Sequence, residues 1–241
     1  MTYDSQERLL FSADAFGTFG VSAVQADSRE EWAEEAARYY FGIVGKYGIS
    51  VQKLLHKLTD KEIHTICPLH GAVLTESVAE YINLYNIWSD YRPEKEGVLI
   101  VYTSVYGNTK RAVMLLAEKL KEKGAEHVEI RDIARCEQYE AVAVAFRYSK
   151  LVLATTTYST DIFPPMREFI ENLTGRNFSN RMVAFIENGS WMPVAAKIMR
   201  EKLEGCKGIV FADTSVKIMS ALSSESMEEL DLLACELCNG K

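Results

Sequence analysis

The 241-residue sequence predicts an α/β protein, a doubly wound five-stranded parallel sheet over residues 98–241 behind a smaller α+β segment. Three observations carry this reading. Five apolar runs alternate with five helical stretches in the C-terminal part. The first run is continuously apolar and the third reads as buried again, as strands covered on both faces are. The stretch they span, roughly 145 residues, suits one such domain.

The elements follow in order. "VLIVYT" (98–103) is a buried strand, and "TKRAVMLLAEKLKEKG" (109–124) is an amphipathic helix stopped by lysines and Gly124. "HVEIRDI" (127–133) alternates like a strand, and "CEQYEAVAVAF" (136–146) is helical. "KLVLATTT" (150–157) is again a buried strand, and "PPMREFIENLT" (164–174) opens a helix on prolines. "RMVAFIE" (181–187) is a strand and "MPVAAKIMREKLEG" (192–205) a helix ending in Gly. "GIVFAD" (208–213) is the last strand and "SMEELDLLACELC" (226–238) the last helix.

Residues 1–92 form the separate N-terminal segment, and 93–97, within the polar "SDYRPEKEG", are its linker to the domain at 98–241. "RLLFSADAFGTFG" (8–20) reads as a short strand and a Gly-rich turn. A long helix is expected over 28–48 with Ser28 as N-cap, and a second over 49–59. "IHTICPLHG" (63–71) is a strand entering a turn, and 75–91 is a helix. So few strands are visible here that the segment is not expected to close a core alone.

Composition excludes several classes. A net charge of −7 disfavours nucleic acid as partner, since a phosphate backbone needs a basic surface. There is no apolar run of membrane-spanning length, so no membrane partner is expected. "MTYDSQERLL" lacks the basic and apolar regions of a signal peptide. Five cysteines, an odd number in a chain too long to need staples, fit the reducing cytoplasm. Cys235 and Cys238 form a lone C-x-x-C on the last helix. Without a second pair they are read as half-buried thiols rather than a zinc site.

In a doubly wound sheet, ligands bind beyond the carboxyl ends of the strands. The loops there, "TSVYGNT", "TTTYSTDIFPP" and "ENGSWMP", are rich in small, hydroxyl and aromatic residues. The first leads from a strand into a helix. It has neither the glycine frame of a P-loop nor the dinucleotide fingerprint, because Gly107 stands alone. Its hydroxyls, Asn108 and the N–H groups of a helix N-terminus suit a single phosphate monoester.

"VYTSVYGNTKRAV" resembles the phosphate loop of flavodoxin-like domains, in the Ser-x-Tyr-Gly-Asn-Thr form of the flavodiiron proteins. The resemblance implies FMN as cofactor and the strand order 2-1-3-4-5. It places Thr103, Ser104, Val105, Tyr106, Gly107, Asn108 and Thr109 around the phosphate. Thr155, Thr156, Thr157, Tyr158 and Asp161 would flank one side of the flavin ring, and Asn188, Gly189, Ser190 and Trp191 the other. Trp191 and Tyr158 also have a plainer reading, as packing residues.

"SADAFG" and "PLHG" resemble the closing portion of the metallo-β-lactamase-like domain of the same family. The resemblance assigns Asp14 and His70 as metal-ligand positions. The family's remaining ligands, an H-x-E-x-D-H motif and a further His, are absent from this sequence. Two ligands cannot hold a di-iron centre, so iron is not expected in this chain alone and the two positions are expected to be empty.

Four functions follow. The first is an FMN electron carrier, cytoplasmic, serving redox donor and acceptor proteins, with no side chain acting as acid or base. The second is an oxidoreductase: the part of an oxygen or nitric oxide reductase whose di-iron site needs a separate N-terminal partner chain. The third is a binding module of flavodoxin fold without cofactor, and the fourth a quinone reductase. A half domain with exposed apolar surface favours a homo-oligomer or that partner chain.

Overall fold

The computed structural model describes residues 1–20 and 29–239, which form two compact units, Met1–Glu94 and Lys95–Lys241. Ser28, read as a helix cap, lies outside the described residues.

In the first unit, β1 (Thr2–Asp4) pairs antiparallel with β2 (Leu9–Ala13), which pairs parallel with β3 (Thr65–Pro68). Helices α1 (Arg29–Tyr39), α2 (Gly48–Leu58) and α3 (Val78–Ser89) supply most of its interior. Tyr40, Tyr85 and Trp88 are fully buried, with ring centroids 5.0–5.4 Å apart. Phe16 stacks 4.2 Å from Tyr85, whose hydroxyl accepts the Phe16 N–H at 2.6 Å. The segment thus has an aromatic core that its scarcity of strands did not suggest.

The long helix expected over 28–48 is broken. After α1 the chain makes one wide π-type turn (Tyr40–Val44) and one tight turn (Gly45–Tyr47) before α2 begins. The cause is local. Gly48 packs so tightly that a Cβ there would lie 2.4 Å from the Ser89 carbonyl oxygen. The Tyr91 hydroxyl donates to the Gly45 carbonyl at 2.8 Å and accepts the Gly48 N–H at 3.2 Å, holding the break open.

The second unit alternates as the sequence predicts. Its elements are β4 (Lys95–Tyr102), α4 (Asn108–Glu122), β5 (Val128–Asp132), α5 (Gln138–Arg147), β6 (Tyr148–Tyr158), β7 (Asp161–Ile162), α6 (Pro164–Thr174), β8 (Met182–Gly189), α7 (Ala195–Leu203), β9 (Val210–Met219) and α8 (Ser224–Asn239). The parallel order is β5-β4-β6-β8-β9, which is 2-1-3-4-5 among the five long strands. The short β7 folds back antiparallel on the end of β6. Residues 98–102 of β4 are buried on both faces. Val98, Ile100 and Tyr102 pack with Leu116 of α4 and Leu233 of α8, while Leu99 and Val101 face the opposite layer.

Two of the boundary differences have a visible cause in the strand pairing. β4 begins at Lys95, inside the stretch read as linker, because Lys95 already pairs with Tyr148. β9 runs to Met219 rather than stopping at Asp213. Between Val183↔Phe211 and Phe185↔Ser215 it carries two more residues than β8, so its pattern is interrupted without the strand ending. Glu236 of α8 covers the interruption, its carboxylate accepting the N–H groups of Asp213 at 2.6 Å and Thr214 at 2.9 Å.

Candidate functional site

The carboxyl ends of β4, β6, β8 and β9 meet at one edge of the sheet, where their loops enclose a cavity of about 260 Å³. Eleven expected residues line it: Ser104, Val105, Tyr106, Asn108 and Thr109 from the first loop, Thr156, Thr157 and Tyr158 from the second, and Asn188, Gly189 and Ser190 from the third. No lining side chain carries a charge.

The first loop is built by its own hydroxyl and glycine. Gly107 adopts φ +90°, the left-handed region that glycine enters without a Cβ penalty. This turn brings the Gly107 N–H to Ser104 Oγ at 3.1 Å, and the same oxygen accepts the Lys110 N–H at 3.2 Å. Ser104 therefore caps α4 from three residues before the Gly107 N-cap. Thr103 lies beneath the loop, fully buried, its hydroxyl bonded to that of Thr155 at 2.6 Å. Thr103, Thr155 and Gly107 shape the loops without lining the cavity.

The two helix N-termini at this edge differ. At α7, Thr157 Oγ1 accepts the N–H groups of Val194 at 2.9 Å and Ala195 at 3.3 Å, and Glu187 Oε2 accepts that of Ala196 at 3.0 Å. At α4, no acceptor among the described residues takes the N–H groups of Asn108 or Thr109. The open donors belong to α4, and an anion placed there meets the positive end of its dipole. A phosphate monoester fits this cradle of neutral donors.

The aromatic residues sit at the rim. Tyr158 is half exposed and makes an edge-on contact with Phe163, centroids 5.4 Å apart. Trp191 is 85% exposed and does not line the cavity. Asp161 does not line it either: its carboxylate pairs with Arg167 and accepts the N–H of Ile162 at 2.8 Å.

Two lining residues, Phe163 and Ser220, were not singled out from the sequence. Phe163 lies within the loop "TTTYSTDIFPP" read as a ligand loop, just before the prolines of α6. Ser220 follows β9, whose length the sequence hid. It takes φ +67°, donates its N–H to the Gly189 carbonyl at 3.1 Å, and lies 3.5 Å from Ser190 through the two hydroxyls.

In the first unit, His70 Nε2 and Asp14 Oδ1 lie 3.5 Å apart, both more than half exposed. The β2–β3 pairing and the turns after it bring them together, through Leu69 N–H to the Ala13 carbonyl at 2.9 Å and Thr18 N–H to the His70 carbonyl at 3.3 Å. Tyr39 stands beside them, its ring 5.9 Å from His70. Burial, helped by the negative charge of Asp14, raises its hydroxyl above the ordinary tyrosine value. Among the described residues no group of three or more His, Cys, Asp and Glu is placed to hold a metal. Two donors do not fit a di-iron centre. Cys235 and Cys238, like the other three cysteines, are free and half-buried. No helix among the described residues is long and apolar enough to cross a membrane.

Comparison with known proteins agrees with this architecture. Residues 99–207 match the family model "Flavodoxin domain". An uncharacterised protein of Methanocaldococcus jannaschii is 26% identical over 95% of this chain and 58% of its own length. The anaerobic nitric oxide reductase flavorubredoxin of Salmonella typhi is 24% identical over 99% of this chain and 49% of its own. Among solved structures, rubredoxin oxygen:oxidoreductase from Desulfovibrio gigas superposes with a TM-score of 0.88 at 20% identity, covering 98% of this chain and 60% of that one. The flavodiiron protein from Giardia intestinalis gives 0.86 at 21% identity, covering 98% and 59%. The chain thus spans about half to three-fifths of the length of these relatives.

Proposed function

We propose that this chain, a flavodoxin-like domain with the related segment of a flavodiiron protein ahead of it, binds FMN and carries electrons between redox proteins. The observation that supports it best is the contrast between two helix ends. The N–H groups at α7 are taken by Thr157 and Glu187, whereas those of Asn108 and Thr109 at α4 remain open beside the cavity.

Bound FMN would supply one- and two-electron chemistry, which no side chain at this site can supply. The chain's own residues would hold and tune it. Ser104 and Gly107 keep the first loop in shape, and Asn108 and Thr109 offer donors to the phosphate. Thr156, Thr157, Gly189 and Ser190 border the space for the ring, with Tyr158 and Trp191 at or beyond its rim. Because no charged residue lines the cavity, the phosphate is met by dipoles alone. The net charge of −7 opposes the gain of an electron, which lowers the flavin potential. Five free thiols accord with a reducing cytoplasm.

The test is a visible absorption spectrum of the purified protein, repeated after adding FMN and removing the excess. A retained flavin spectrum supports the reading. A colourless protein that takes up no FMN overturns it in favour of a cofactor-free binding module.

A second reading is favoured by the Asp14–His70 pair. In it, this chain is part of an oxygen or nitric oxide reductase, and a separate N-terminal partner chain supplies the remaining metal ligands. Iron analysis of the chain alone, and of any complex it forms, tests this. Stoichiometric iron in the complex, lost on Asp14→Ala, supports it. An iron-free complex sinks it.

A further inference from the structure

Asn188, at the end of β8, is 5% exposed, and its side chain joins two loops of the cavity. The amide nitrogen Nδ2 lies 3.4 Å from the Ser220 carbonyl and 3.3 Å from Thr109 Oγ1. We propose that Asn188 is a positioning residue that makes the Thr109 hydroxyl a hydrogen-bond donor, and so selects a phosphorylated flavin over the same flavin without phosphate. This rests on the FMN reading above.

The orientation of the amide follows from its partners. A backbone carbonyl only accepts, so the group facing Ser220 must be the NH₂ rather than the oxygen. That group has two hydrogens, and its second partner is Thr109 Oγ1. The hydroxyl therefore accepts there, and its single hydrogen must point elsewhere. Among the described residues no acceptor for it is found, and Thr109, 1% exposed, lines the cavity. The hydrogen is left for the ligand.

This matters because the cavity has no charged side chain. Discrimination then depends on which way its neutral dipoles point. A phosphate at pH 7 presents oxygens that mainly accept, so a fixed donor favours it. A ribityl hydroxyl can donate or accept and gains little from the fixed direction. The N–H groups of Asn108 and Thr109 lie on the same turn, and the oriented hydroxyl adds to them.

Affinities for FMN and for riboflavin, measured by flavin fluorescence on the full chain, test the proposal. In Asn188→Asp the near-isosteric carboxylate accepts the Thr109 hydroxyl hydrogen and puts a negative charge beside the phosphate. FMN affinity is expected to fall roughly 100-fold, and riboflavin affinity to change by less than about 3-fold. Asn188→Leu, which only frees the hydroxyl to rotate, is expected to lower FMN affinity about 10-fold. A thermal melt of each variant identifies one that fails to fold, and Asn188→Leu carries the test if Asn188→Asp does.

The decisive comparison uses Thr109→Val, which has no hydroxyl to orient. In that background Asn188→Leu is expected to leave the FMN-to-riboflavin ratio unchanged. A further fall there, or a ratio that stays at the wild-type value in both single Asn188 variants, overturns the inference while leaving the flavin reading intact. A wild-type chain that binds neither flavin overturns the flavin reading and this inference with it.

Discussion

The hydroxyl of Thr157 accepts the backbone N–H of Val194 at 2.9 Å, so the strand end of β6 caps the helix that follows β8. A side chain one position before Tyr158 thereby fixes the start of α7 and the loop 190–194. Asn188 makes a similar tie from β8 to Thr109 on α4. Three loops far apart in sequence are held to one another by neutral hydrogen bonds at the cavity floor. The rim residues Tyr106 and Trp191 are exposed and free of such ties in the described hydrogen bonds.

Thr157→Val removes the acceptor of two helix N–H groups while keeping the shape. Loss of such a cap costs about 1 kcal/mol, which is about 2–4 °C in melting temperature for a domain of this size. Thr157→Ser should restore most of it. A thermal melt of the cofactor-free chain checks this. A Thr157→Val protein that melts with the wild type would show that the cap contributes nothing.

The double variant Asn108→Ala, Thr109→Val tests the phosphate loop. It strips the loop of two polar side chains but leaves the backbone N–H groups. FMN binding should weaken by about 2–3 kcal/mol, one to two orders of magnitude in affinity. Riboflavin should be affected much less. Titration with both flavins reads the difference, and unchanged FMN affinity would sink the assignment of this loop to the phosphate.

Gly107 offers a cleaner backbone test. At φ +90° an added Cβ would meet nothing within 4 Å, so no neighbour has to move. The cost of Gly107→Ala is then conformational, about 1–2 kcal/mol. Asn tolerates the left-handed region better than Ala, so Gly107→Asn should be the milder change. Chemical denaturation of the three proteins should rank them Gly, Asn, Ala from most to least stable. Equal stabilities would show that the loop can relax out of the left-handed turn.

Much of the site was legible because its chemistry is local. The run from Thr103 to Thr109 announces a polar turn between a buried strand and a helix, and the structure puts five of its seven residues on the cavity. The parts that were not legible depend on distant contacts. Ser220 was hidden because β9 continues past its irregularity, and that irregularity is held by Glu236, more than twenty residues away. The break before α2 was hidden because the packing at Gly48 and the bonds from Tyr91 decide it, not helix periodicity. Asp161 has the composition of a site residue, yet Arg167 one turn into the following helix claims its carboxylate. β1 has three residues and no period to read.

The contact that holds the β9 irregularity makes a prediction about pH. Burial alone would raise the Glu236 carboxyl, but the N–H groups of Asp213 and Thr214, with the Thr214 side chain, outweigh it and hold the group below its ordinary 4.5. A folded-state value below the unfolded one means that the contact stabilises the fold above about pH 4.5. That contribution is lost as pH falls through the folded-state value. Glu236 is only partly buried, so solvent screening keeps the effect small. Glu236→Gln replaces one accepting oxygen with a donor facing an N–H. The variant should therefore be less stable than the wild type at neutral pH. The difference should shrink as pH falls below 4.5, because the wild type loses what the variant never had. Denaturation midpoints at neutral pH and at a series of acidic values read this directly. A difference that stays constant across the series would mean that the Glu236 contact does not depend on its charge.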